Sequence, residues 1–111
     1  MSDSLRDLTV WIGNINQSKG WRDEERTQGD FIALIHSEAS EALEEHRAGR
    51  APTERYYRED GKPEGMPAEI ADVVIRCLDW FDAHDLDPFE VIAEKVEFNA
   101  TRPRRHGGKT L

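Results

Sequence analysis

The sequence predicts an all-α protein, a single domain built like a four-helix bundle. Three observations lead there. Apolar residues recur at intervals of three and four along four separate segments, proline and most glycines fall at the borders of those segments, and no stretch makes a convincing strand.

Leu5, Leu8, Trp11, Ile12 and Ile15 make one buried stripe, so a first helix runs from Ser4 to Ile15. Asn16 to Gln28 is polar, contains Gly20 and Trp21, and reads as a loop. A second helix follows from about Gly29 to Ala48 on Phe31, Leu34, Ile35, Ala42 and Leu43, with Gly49 placed to end it. Residues 50–66 carry Pro52, Gly61, Pro63 and Gly65 among charges and read as a long connection, a kind of segment that is often functional. Pro67 suits the first turn of a third helix reaching about His84, because proline lacks only a donor that would be unpaired there. Asp87-Pro88 opens a fourth helix, with Asp87 as its N-cap, and Pro103 closes it.

A chain of 111 residues forms about one domain, and a domain this small leaves enough surface exposed to make self-association plausible. Hydrophobic content of 37%, with three Trp, four Phe and two Tyr, is too high for a disordered chain despite 34% charged residues. The lone cysteine, Cys77, lies in the apolar run VVIRCLDWF, so no disulfide framework exists and a reducing compartment is expected. Without a signal-like start or a run near the ~20 apolar residues of a membrane span, the expected location is the cytoplasm and no membrane partner is expected. The net charge of −8 argues against binding a nucleic-acid polymer. Residues 102–111 hold four of the fifteen Lys and Arg and no acid, so an acidic body carries a basic tail from about residue 103.

At about 100° per residue, Phe31, Leu34, Ile35, Glu41, Ala42 and Glu45 all fall within about 60° of Glu38 on the second helix. An inward carboxylate is costly unless it is paired or holds a metal, so Glu38 asks for a cation. Glu44 points outward. The third helix is apolar around most of its circumference (Ile70, Val73, Val74, Cys77, Leu78, Trp80, Phe81) and should be central, with a narrow polar strip of Glu69, Asp72, Arg76 and Asp79. Glu69 and Asp72 stand one turn apart and can grip one ion. Two helices each offering carboxylates three residues apart, Glu38 with Glu41 and Glu69 with Asp72, suit an all-oxygen cage for Mg²⁺ or Mn²⁺. No His or Cys stands at zinc spacing, no GxxxxGK[ST] loop occurs, and no Ser/His/Asp set is credible. Metal-assisted phosphoryl chemistry is what remains.

On the fourth helix Lys95, Asn99 and Arg102 share one side, Glu90, Glu94 and Glu97 another, and Phe89, Ile92, Val96 and Ala100 are expected to face the core. Lys95, Asn99 and Arg102 make a candidate anion site. The tail residues Arg104, Arg105, His106 and Lys109, with Gly107 and Gly108, either fold over a polyphosphate or form a loose end.

Glu38-Ala-Ser-Glu41 followed by Glu69-Ile-Ala-Asp72 resembles the EExxE…ExxD pattern of the all-α nucleoside triphosphate pyrophosphohydrolases, the MazG and dimeric dUTPase superfamily. The resemblance runs from about Phe31 to Lys109 and includes LIHSEASEALEEHR, AEIADVVIR and an ending, EKVEFNATRPRRHGGK, similar to the Lys…Asn…Arg close of small MazG-like proteins. Ser37 stands where the first acid of EExxE belongs, on the outer face of its helix. The resemblance implies a homodimer or homotetramer, Mg²⁺ held by Glu38, Glu41, Glu69 and Asp72, and attack by water between the α and β phosphates of a nucleoside triphosphate. Glu41, or Glu38 beside it, would orient that water or take its proton. Lys95, Asn99, Arg102, Arg105 and Lys109 would steady the phosphates, and Glu45 is a reserve ligand. Trp21, Tyr56 and Tyr57 either stack on the base or simply pack. Two rival readings are phosphoribosyl-ATP pyrophosphohydrolase, from the same superfamily, and a non-catalytic nucleotide-binding helical protein.

Overall fold

The computed structural model describes residues 4–105 and Thr110. It contains helices α1 (Leu5–Ser18), α2 (Gln28–Arg47), α3 (Met66–Ala83) and α4 (Pro88–Thr101), with a two-stranded antiparallel ladder between α2 and α3, β1 (Tyr56–Tyr57) and β2 (Pro63–Glu64). The protein is mostly helical, as its periodicity predicts.

Local chemistry sets the ends. Ser4 Oγ accepts from the Asp7 amide at 3.1 Å, and Asp87 Oδ1 accepts from the Phe89 amide at 3.0 Å, so both caps satisfy a donor that the first turn leaves free. At α2, Thr27 Oγ1 accepts from the Asp30 amide at 3.0 Å, and the Asp30 carboxylate accepts from the Thr27 amide at 3.2 Å. Pro67 and Pro88 occupy first turns, and Gly49 takes a φ of 83° just past α2.

Two expectations need correction here. The first helix does not stop at Ile15 but continues to Ser18, because nothing in Asn16–Ser18 breaks it before Gly20, which turns the chain at a φ of 81°. Nor is the 50–66 connection irregular throughout. Tyr56 pairs with Glu64 and Tyr57 with Pro63, and in the turn between them Arg58 N–H donates to the Lys62 carbonyl at 3.0 Å while the Arg58 carbonyl accepts from Gly61 N–H at 2.9 Å.

Packing departs further from expectation. α3 is central, lying against α2 most extensively and α1 next, whereas α4 docks chiefly on α1. The buried apolar core consists of Ile12, Phe31, Ala42 and Leu78. Gly13 lets α1 approach α3 closely, since a Cβ there would overlap the Asp82 carboxylate. Phe89 (64% exposed), Ile92, Val96 (59%) and Ala100 do not face a core but are exposed, α4 docking chiefly on α1. Trp11, Ile15 and Leu43 are exposed as well. On α3 the expected polarity is partly reversed: Glu69 and Asp79 are buried, while Ile70 and Val74 of the apolar arc face outward. Among the described residues no helix is long and apolar enough to cross a membrane.

Candidate metal centre

The rotation of α2 places Glu38 inward, only 9% exposed, between buried Phe31 and Ala42. Glu41, one turn later, reaches the solvent edge of the same side, and Glu45 follows half-buried. Opposite them, α3 begins at Gly65, whose φ of 106° permits a turn in which a Cβ would strike the Glu54 carbonyl oxygen. That turn sets Glu69 in the first turns of α3, facing α2.

Glu38, Glu41 and Glu69 each offer a carboxylate oxygen, and the three oxygens lie within 4.8 Å of one another. Glu69 is 6% exposed, and its Oε2 is buried with no hydrogen-bond partner. Such an atom costs on the order of 1–3 kcal/mol when nothing satisfies it. The carboxyls feel that cost together. Burial raises Glu69 to about 7, helped by a hydrogen bond with Glu41 and by the charges of Glu41, Asp72 and Glu38. Burial also lifts Glu38, against the pull of Arg76, whose Nε donates to Glu38 Oε1 at 3.3 Å. Asp72 is raised by burial too, with Glu41 and Glu64 adding to the shift and Arg76 and Lys62 opposing it.

The structure therefore brings Glu38, Glu41 and Glu69 together as expected, and sets Asp72 beside the triplet rather than within it. Asp72 acts on Glu38 and Glu69 through its charge, and lines with Glu38 a pocket of about 260 Å³. Trp21, Asn16, Ile75, Arg76 and Asp79 complete that pocket, so Trp21 lies beside Glu38 and Asp72, while the Tyr56 hydroxyl donates to the reserve ligand Glu45 at 2.9 Å. Tyr57 is exposed, and Tyr56 lies under the Arg50 guanidinium, 4.1 Å from its carbon to the ring centroid. Ser37 and Glu44 are on the outer face, Glu44 paired with Arg47.

Lys95, Asn99 and Arg102 are not brought to this site within one chain. All are exposed on or just after α4, and none forms a side-chain hydrogen bond or ion pair with the carboxylates of α2 and α3. Arg105 is likewise exposed, whereas His106 and Lys109 lie outside the described residues. Sequence reasoning missed Glu64, hidden in a two-residue strand, and the pairing of Arg76 with Glu38. The second carried a signal, since an arginine in an otherwise acidic strip invites an acid opposite.

The donors fit a hard divalent cation. All are carboxylate oxygens, and one buried oxygen waits without a partner. Comparison of the chain with protein-family models, with curated proteins and with solved structures finds no match.

Proposed function

We propose that this protein is a MazG-like, Mg²⁺-dependent pyrophosphohydrolase that cleaves a nucleoside triphosphate to the monophosphate and pyrophosphate, acting in the cytoplasm as a homo-oligomer. The observation that carries this reading is the Glu38–Glu41–Glu69 triplet with the buried, unpartnered Oε2 of Glu69. Mg²⁺, or Mn²⁺ in its place, supplies charge neutralisation and water activation for phosphoryl chemistry. Glu38 and Glu69 are the buried, fixed ligands, and Asp72 completes the negative field that holds the ion. Glu41, at the solvent edge, orients the attacking water and takes its proton. Arg76 holds Glu38 in place and adds positive charge next to the pocket that would receive the nucleoside, where Trp21 offers a face for the base. Lys95, Asn99, Arg102, Arg105 and Lys109 remain the proposed phosphate contacts, although one chain alone does not bring Lys95, Asn99 and Arg102 to the carboxylates.

A panel of triphosphates, with phosphoribosyl-ATP beside them, scored for monophosphate and pyrophosphate tests the reading. Turnover should require Mg²⁺ or Mn²⁺ and stop in excess EDTA. Full activity in EDTA would sink the mechanism, and nucleotide binding without pyrophosphate release from any substrate would favour the non-catalytic alternative.

A further inference from the structure

A closed circuit of hydrogen bonds joins the start of α2 to the end of α3, away from the carboxylate triplet. Trp80 Nε1 donates to Gln28 Oε1 at 2.9 Å, Gln28 Nε2 lies 2.7 Å from His84 Nε2, and His84 Nδ1 lies 2.7 Å from the Trp80 carbonyl oxygen. The His84 ring is stacked on Trp80, with centroids 4.5 Å apart, and meets the buried Phe31 ring edge-on at 5.5 Å.

Chemistry fixes the direction of every bond. A carbonyl only accepts, so Nδ1 carries the His84 proton, and in a neutral ring that leaves Nε2 as an acceptor. An indole N–H only donates, so Trp80 turns the Gln28 carbonyl oxygen toward itself and the amide nitrogen toward His84. The three donors thus run in one sense round the circuit, and only while His84 is neutral. A proton on Nε2 would set two donors face to face. Turning the Gln28 amide over does not relieve this, because its nitrogen would then face the Trp80 N–H.

We propose that His84 is a proton-sensitive latch: neutral, it holds the first turn of α2 on α3; protonated, it stays with α3 and lets go of Gln28. The latch does not depend on a metal. Its surroundings decide which side releases. A cationic ring at the end of α3 is favoured by the helix dipole, keeps its Nδ1–H bond to the Trp80 carbonyl and lies on an indole face. On the α2 side Phe31 carries a like charge, the Arg26 guanidinium, whose carbon is 5.4 Å from the ring centroid. Acids of the neighbouring segments do not hold the ring: Asp30 caps Thr27, Asp82 accepts from Arg22, Asp87 caps α4, and no ion pair joins Asp85 or another acid to His84 among the described residues. His84 is exposed, so protons reach it, and histidine changes charge between about pH 5 and 8.

Nuclear magnetic resonance of the full chain between about pH 8 and 5 tests this. At the upper limit the two-bond nitrogen–proton spectrum should show His84 chiefly as the Nδ1–H form, with His36 and His46, both exposed on α2, as unconstrained references. As the ring charges, the Gln28 side-chain amide should shift with the same midpoint. The Phe31 amide, which bonds the Thr27 carbonyl, should lose protection from hydrogen exchange by roughly 3- to 10-fold relative to amides in the middle of α2, the equivalent of one hydrogen bond. Gln28→Ala should remove this pH dependence while His84 still titrates and helical circular dichroism is unchanged. Melting of the whole fold also reports the carboxyls around Glu69, so the latch is read where it sits. A neutral His84 found in the Nε2–H form would overturn the assignment. Protection of Phe31 that does not change with pH in the wild type, or that changes equally in Gln28→Ala, would overturn the latch.

Discussion

At Glu69 burial and charge crowding act in the same direction, and both favour the protonated acid while no cation is bound. The consequence for stability has a definite sign. Glu69 takes up its proton near pH 7 when folded but near its ordinary value of 4.5 when unfolded, so between these limits the folded state binds more protons. Its contribution is complete below about 4.5 and is lost as the pH rises through about 7; Glu38 and Asp72, also raised, act in the same sense. The metal-free protein should therefore melt at a higher temperature at pH 5.5 than at pH 8, by roughly 4 °C for each kcal/mol involved. Mg²⁺ should restore much of the loss at pH 8, because a ligand that binds only the folded state stabilises it. Thermal scans in EDTA showing no pH dependence across this window would mean that the carboxyls are not crowded. By the same logic Glu41→Gln or Asp72→Asn should cut turnover by roughly 100-fold or more, the rate equivalent of a few kcal/mol, yet leave the metal-free fold no weaker, since each relieves like-charge repulsion. Glu44→Gln, already exposed and paired with Arg47, is the control and should keep its activity.

Helices carry these side chains, and what each helix revealed in advance depended on whether its partners were near in sequence. α2 was legible: with about 3.6 residues per turn, Glu38 could not share an arc with Phe31 and Ala42 without turning inward, and it does. The caps of α1 and α4 and the prolines that open α3 and α4 are equally local. The polar strip of α3 was legible as a strip but not as two structures. Its first half faces the carboxylates of α2, whereas Asp79 is 3% exposed and accepts from Asn16 Nδ2 at 2.8 Å and from Arg22 Nη2, joining α1 and the following turn to α3. Arg22 also donates to Asp82 at 3.2 Å. No periodicity reveals a partner 57 residues away. Asp79→Ala should therefore destabilise the protein by about 1–3 kcal/mol, because it removes the buried carboxylate that Asn16 and Arg22 both hydrogen-bond, while Arg22 keeps Asp82. Urea titration measures it; a midpoint within error of wild type would show that the pair contributes little. The β1–β2 ladder was missed for a different reason, because two residues per strand are too few to display alternation.

For the whole molecule, the expectation that failed most clearly within one chain, a core-facing α4, is also the one that says most about its assembly. Phe89, Ile92 and Val96 recur at i, i+3 and i+7 and so share a face, yet all are exposed, and Ile70 and Val74 on α3 leave a second apolar face open. A soluble monomer of this size has little reason to keep amphipathic periodicity on a helix that buries nothing with it. Isolated exposed apolar residues are ordinary; a helical series of them is the pattern of a surface that meets another. Under the proposed homo-oligomer, a second copy of the chain would cover these faces. Each copy carries the same open surfaces, and a small domain gains the most from sharing burial. The protein should therefore sediment as a dimer or tetramer at micromolar concentration. Phe89→Ser combined with Val96→Ser should shift it toward the monomer while leaving Mn²⁺ binding at the α2–α3 carboxylates in place, since α4 makes no hydrogen bond or ion pair with them. A wild type that sediments as a monomer would leave the apolar face of α4 without its partner and refute the assembly. A double variant that remains oligomeric would move the interface to Ile70 and Val74, the other face that one chain leaves uncovered.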